Sequence, residues 1–297
     1  MDKAFWHNII EDEYAVPSPY SIATLTPELL SYLGSTDSEL REELAYMILC
    51  EWIGRGNYSY PDIQKMATQL LYNLTIGLDE QQSDTVFLRS FSVLILTEIV
   101  CYDLTQSILS EAEVQQLLDQ ALDYFLLEKD VRGYEPGKGW AHAVAHSSDF
   151  LWVLSQHQFV STTGLMRIMD AIGKKITAPI DDTYLFDEDE RLVRAVMSVL
   201  QRNLLGFSFL TMWLEMLIHP RGRIAWNADL DGKMMEVVRN KAETCARHNT
   251  KHFLRSLFFQ LRSPGFANLN LVEHRPPVSD ELLPLVEHTL SQIRAWC

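Results

Sequence analysis

Basic residues are the first shortage: 25 Lys and Arg stand against 40 Asp and Glu in 297 residues, a formal charge of −15. A protein that holds a phosphate backbone needs clustered cations to displace counterions, so nucleic acid is not expected as a partner. Cysteine is scarce too. Cys50, Cys101, Cys245 and Cys297 lie far apart without a C-x-x-C pair, which excludes a zinc knuckle and a disulfide framework and leaves reduced thiols. Long apolar runs are missing: the greasiest window, residues 91–101, is interrupted by Glu98 and falls short of the roughly 20 residues of a membrane span. The first residues show no basic stretch followed by an apolar one, so no secretory signal is visible. A soluble, cytoplasmic protein with no membrane partner is expected.

Familiar chemistry is also lacking. The sequence shows no G-x-S-x-G elbow and no catalytic Cys–His context. The glycines around Lys138 match neither G-x-x-x-x-G-K-[ST] nor G-x-G-x-x-G, which argues against a nucleotide site. No stretch alternates convincingly as a strand.

What is present is helix punctuation. Thr26-Pro27 reads as an N-cap with proline at the first helical position, and Gly34 closes that helix. Thr36 with Glu39 reads as a capping box for a helix to about Trp52, stopped by Gly54-Arg55-Gly56. Pro61-Asp62 opens the next, and Ser110 with Glu113 another. Helical spacing returns over residues 163–173, 188–205, 207–218, 233–247, 250–261 and 280–296. About a dozen helices joined by short turns predict an all-α fold, an α-solenoid of HEAT-like antiparallel helix pairs or a closed bundle. Pro276-Pro277 is the one hinge candidate and would detach only the last helix, so a single domain over residues 1–297 is expected. The seven tryptophans, Trp6, Trp52, Trp140, Trp152, Trp213, Trp226 and Trp296, read as core or interface anchors.

Several blocks resemble the largely bacterial domain-of-unknown-function 2785 family. They are residues 84–92 (Asp-Thr-Val-Phe-Leu-Arg-Ser-Phe-Ser), 139–149 (Gly-Trp-Ala-His-Ala-Val-Ala-His-Ser-Ser-Asp), 188–192 and 249–261. The resemblance spans about residues 84–261 and rests most on the Gly-Trp-Ala-His block; Phe258 and Ser148 depart from the tyrosine and small apolar residue associated with the family. It implies an all-helical, HEAT-like fold and no established activity.

The candidate site centres on that block. With about 100° per residue, His142, His146 and Asp149 share a stripe of one helix while Trp140, Val144, Leu151 and Leu154 gather opposite. Histidines at i and i+4 can share a divalent metal, with Asp149 as third ligand and a position left for water. Ala143 replaces the glutamate of H-E-x-x-H, so the general base of the zincins is missing. Three readings stay open: a metal-assisted hydrolase, a metal-free pocket binding a small polar ligand or a partner segment, and a purely structural cluster in an interaction scaffold. Arg89 sits in an apolar helix and should meet a carboxylate, with Asp149 and the acids of residues 187–190 as candidates, or an anionic ligand. Tyr134, Lys138, Trp140 and Arg191 complete the expected pocket, with Lys138 beside glycines 133, 137 and 139 as an anion-friendly approach. The acids Asp187, Glu188, Asp189 and Glu190 suit the first turn of a helix, and Lys251 with Arg255 forms a small basic edge.

Overall fold

Helices carry the structure, as expected. The computed structural model describes residues 1–220, 240–263 and 275–293. Among them lie twelve α-helices, one π-helical stretch and a two-stranded antiparallel pairing. The chain divides into two compact units, Met1–Leu154 and Ser155–Cys297.

In the first unit, side-chain caps set most helix starts. Asp2 caps α1 (Lys3–Glu11), accepting the Phe5 N–H at 2.9 Å. α2 spans Ile22–Tyr32 and opens on a reciprocal Ser21–Thr24 cap, five residues before the expected start. Pro27 therefore lies inside the helix. Its missing N–H removes one backbone bond there, while the Thr26 hydroxyl turns back to the Ile22 carbonyl at 2.8 Å.

A π-helical stretch, Glu39–Tyr46, runs directly into α3, Met47–Gly54. The expected Thr36–Glu39 box does not form. The Glu39 carboxylate is taken by Lys3 and by His7, whose Nε2 is 2.8 Å away, and no side chain caps Ser38. The helix ends where the glycines predict, with Gly56 at φ +69°.

The expected Ser110–Glu113 box forms, and a box not named from the sequence opens the helix expected at Pro61-Asp62. Ser59 and Asp62 open α4 (Tyr60–Asn73), and Ser110 with Glu113 opens α6 (Glu111–Leu127). Between them α5, Thr85–Gln106, packs against α3 and α4. Val86, Phe87, Val93, Ile95, Leu96, Ile99 and Val100 on it are fully buried, each contributing roughly 1.5–3 kcal/mol of apolar transfer. α5 does reach span-like length and a mean hydropathy of 1.6, because its scattered charges average out over 22 residues. Arg89, Glu98 and Asp103 still interrupt it, and 72% of its apolar window is buried by the fold itself, as in a core helix.

After α6 come β1 (Tyr134–Glu135), β2 (Gly139–Trp140) and α7, Ala143–Gln156. Trp6 and Trp52 are wholly buried, with Trp52 Nε1 donating to the Tyr14 carbonyl at 2.8 Å.

The second unit contains α8 (Thr162–Thr177), α9 (Glu188–Gln201), α10 (Phe207–Ile218), α11 (Lys241–Arg262) and α12 (Ser279–Gln292). α8, α9 and α12 all pack on α11. Two helices expected over residues 233–247 and 250–261 are one continuous helix from Lys241 onward. Asn249 and Thr250 look like a helix start but spend their side chains elsewhere. Asn249 Oδ1 accepts the Tyr184 N–H at 3.0 Å, and the Thr250 hydroxyl donates to the Ala246 and Ile176 carbonyls at 2.8 and 3.1 Å. Trp213 is buried, its Nε1 donating to the Met169 carbonyl at 2.7 Å. Residues 233–239, Trp226, Trp296 and Cys297 lie outside the described residues.

Candidate functional site

Arg41 organises the local backbone. Its side chain is fully buried, with the guanidinium carbon 4.1 Å from the Phe87 ring centre and 4.9 Å from that of Phe91. One Nη2 serves the Glu42 carboxylate at 2.6 Å and the carbonyls of Lys138 and Trp140 at 2.5 and 3.4 Å. Glu42 in turn accepts the Trp140 N–H at 2.8 Å. The short hairpin, with Tyr134 paired to Trp140 and Glu135 to Gly139, is thereby clamped to the π-helical stretch. Gly139 is required there. At φ +81° any Cβ would stand 2.2 Å from Glu42 Oε1 and 2.7 Å from Ser38 Cβ.

The clamp places His142 differently from the expected helical stripe. His142 sits just before α7 in a left-handed conformation, φ +48°, its N–H donating to the Arg132 carbonyl at 3.0 Å. Its own carbonyl accepts the His146 N–H at 2.9 Å, so it begins the helix rather than riding on it. The Trp140 ring stacks on His142 at 4.5 Å and 19°, and Tyr134 meets Trp140 edge-on at 5.1 Å. The pairing into β2 is what pulls Trp140 and His142 off the helix.

His146 lies on α7 with its ring 5.5 Å from His142 and edge-on to Phe91 at 5.3 Å. Its Nδ1 is 2.7 Å from the Ser90 hydroxyl. That hydroxyl donates to the Ala141 carbonyl, so it must accept from Nδ1–H. Neutral His146 is therefore held as the Nδ1–H tautomer with its lone pair on Nε2.

Asp149 stands one turn further along α7, 5% exposed, and its charge acts on Glu98 of α5. Burial raises the Glu98 carboxyl above its usual range and Asp149 adds to that, while the Cys50 thiol and Tyr46 hydroxyl, the latter donating at 3.2 Å, work against it. Burial likewise pushes Tyr46 and Cys50 well up, with the Glu98 charge next in effect. Tyr46 of the π-helical stretch, Cys50 of α3 and Glu98 of α5 thus form one group, to which Asp149 of α7 adds its charge. Sequence reasoning missed Tyr46, Cys50, Ser90 and Arg41. Glu98 was visible as the interruption of an apolar window but not as a site residue.

The remaining expected residues go elsewhere. Arg89 is fully buried and does not reach Asp149 or the acids of residues 187–190 for its pairing. Its Nε and Nη2 form a two-pronged pair with Glu128 at 2.6 and 3.1 Å, and Nη1 donates to the Ile76 and Gly77 carbonyls and the Thr85 hydroxyl at 2.8–2.9 Å. Those bonds occupy the guanidinium, so Arg89 meets a carboxylate, as one of its two expected outcomes has it, with Glu128 as the partner. The Lys138 ammonium pairs with Asp84 at 2.6 and 2.8 Å near the surface. Arg191 belongs to α9 in the second unit, beside Glu188, Asp189 and Glu190, which occupy the first turn as expected. Burial raises both Asp189 and Glu190, with neighbouring acids adding to it. Among the described residues no three His, Cys, Asp or Glu side chains are grouped as a metal site.

No curated protein and no solved structure shows a significant match. A family profile described as "Protein of unknown function (DUF2785)" matches residues 71–259, which include α5, the hairpin, α7 and most of α11. With more than half of its length matched, including the Gly-Trp-Ala-His block and the histidine cluster, this chain belongs to the DUF2785 family.

Proposed function

We propose that the first unit binds a small polar ligand rich in hydrogen-bond donors, such as an amine or a polyol, at the cluster of Glu98, Asp149 and His146. What supports this reading is that the Asp149 charge adds to the burial that raises Glu98, while the Ser90 hydroxyl holds His146, on the same helix as Asp149, in its Nδ1–H tautomer. Such a group of acceptors favours a ligand that brings protons or positive charge, and a donor bound there would relieve the repulsion. Trp140, Tyr46 and Cys50 are half-buried and Tyr134 is exposed, which supports an aromatic rim on the solvent side. Arg89 and Arg191 take no part in this reading, and the metal-assisted hydrolase version is set aside for want of a third ligand in position.

The test is calorimetric titration of the full chain with a panel of small alkyl amines and monosaccharides, repeated on Glu98→Gln and Asp149→Asn. Saturable binding that weakens in both variants is expected. Binding that both variants leave unchanged would remove the reading.

One observation favours a second reading, that of an interaction scaffold in which the cluster fixes helix packing. His142, His146 and Asp149 are only 7%, 7% and 5% exposed. On this reading the Glu98→Gln and Asp149→Asn variants change stability and no panel member binds. Within each unit, helices pack on their chain neighbours and on the next but one, as α4 and α3 do on α5 and α9 and α10 do on α8, which supports HEAT-like helix pairs. A bacterial, cytoplasmic protein is consistent with that reading and with the charge of −15.

A further inference from the structure

Cations are scarce in this chain, yet α11 concentrates them. His248, Lys251, His252 and Arg255 follow one another at i, i+3, i+4 and i+7, the spacing that places four side chains in one patch of a helix. The other side of the helix is core: Ala246, Phe253, Leu254, Leu257 and Leu261 are buried. His248 and Arg255 are exposed, and Lys251 and His252 are half-buried. The two imidazoles lie nearly face to face, ring centres 4.2 Å apart and 27° from parallel.

Among the described residues no carboxylate balances the patch. Burial and the neighbouring cations Arg255 and Arg247 depress Lys251, and burial with Arg255 and Lys251 depresses His252. His248 is lowered by burial, His252 and the same cations. The acids Asp181 and Asp182 act on Cys245, one turn earlier, and not on Lys251 or His252. Among the described residues neither Lys251 nor Arg255 has an ion pair. Two cations beside a stacked pair of imidazoles, held partly out of water, disfavour further positive charge alone and favour it when an anion joins them.

We propose that His248, Lys251, His252 and Arg255 form a binding site for a small multivalent oxyanion of the phosphate class. The patch extends over two helical turns, about 10 Å, which suits one or two phosphoryl groups. A long polyanion would feel the repulsion of a body carrying −15, whereas a small anion meets the local donors and little else. The site belongs to the second unit and does not depend on the reading of the first.

The experiment is a titration of the full chain with inorganic pyrophosphate, followed through the histidine ring resonances, with chloride at matched ionic strength as the control. Saturable shifts at His248 and His252 are expected, with the apparent pKa of at least one of them rising as the anion binds. Lys251→Ala/Arg255→Ala should weaken binding by about tenfold or more, since each charged hydrogen bond is worth about 1.5 kcal/mol. Both side chains lie on the solvent side, and an unchanged melting temperature will certify the fold. Shifts that chloride reproduces, affinity unchanged in the double variant, or binding of an acidic peptide without any response to pyrophosphate would each overturn the proposal.

Discussion

The Ser90 hydroxyl stands 2.7 Å from His146 Nδ1 while donating its own proton to the Ala141 carbonyl. That one hydroxyl decides which nitrogen of His146 carries the hydrogen. It also ties α5 to the residue that precedes His142, so the tautomer and the backbone turn are set together.

Ser90→Ala should release both. His146 Nδ1–H and the Ala141 carbonyl would lose a buried partner, at a cost of roughly 1–3 kcal/mol in chemical denaturation. Nitrogen resonances of the His146 ring should show the Nδ1–H form in the parent chain and a mixture in the variant. An Nε2–H signal in the parent would refute the assignment.

The Arg89–Glu128 pair is expected to matter to folding and not to any ligand. Arg89→Met leaves Glu128, 3% exposed, without its cation, which should destabilise by about 3–5 kcal/mol. The double change Arg89→Met/Glu128→Leu should recover much of that loss. Equal unfolding midpoints for the single and double variants would contradict this account.

Gly139→Ala tests the hairpin clamp. The left-handed backbone alone costs an alanine roughly 1–2 kcal/mol, and the contact with Glu42 Oε1 forces that side chain off the Trp140 N–H. Loss of stability should be accompanied by a change in Trp140 fluorescence, because the ring rests on His142. Gly137→Ala, where no atom lies within 4 Å of the new Cβ, should show only the backbone part.

Two glutamates should give opposite pH signatures. Burial pushes the Glu113 carboxyl up, but hydrogen bonds from Ser110, Gln64 and Tyr60 outweigh it and hold it at about 2. Its contribution is therefore present above the ordinary glutamate range and lost as pH falls toward about 2; Glu113→Gln should flatten that acid limb. Glu98 is raised, so the folded state favours its protonated form. Its contribution is full below the ordinary range and is lost as pH rises through the folded value. Glu98→Gln should thus gain on the parent as pH rises, and a gain largest in acid would reverse the assignment. Urea midpoints across the pH range read both effects.

The sequence by itself determined the helices and much of their punctuation. Ser110 with Glu113, Pro61-Asp62 after Ser59 and the Gly54-Arg55-Gly56 stop act within a turn of chain, so their outcome is local. It also located the Gly-Trp-Ala-His block as the chemically distinctive stretch, because histidines without surrounding Lys and Glu do not make a solvated face. Tertiary structure decided the rest. Arg89 pairs with Glu128, 39 residues away, and Thr250 turned to a carbonyl 74 residues away instead of starting a helix. His142 left the helix because Arg41, 99 residues before Trp140, pinned that residue's carbonyl while Glu42 took its N–H. The charge of Asp149 bears on Glu98 only in the folded chain, 51 residues apart in sequence. Spacing fixes which side chains share a face of one helix; which groups lose their water together depends on contacts between distant elements, and those set the charge, tautomer and donor pattern of the site.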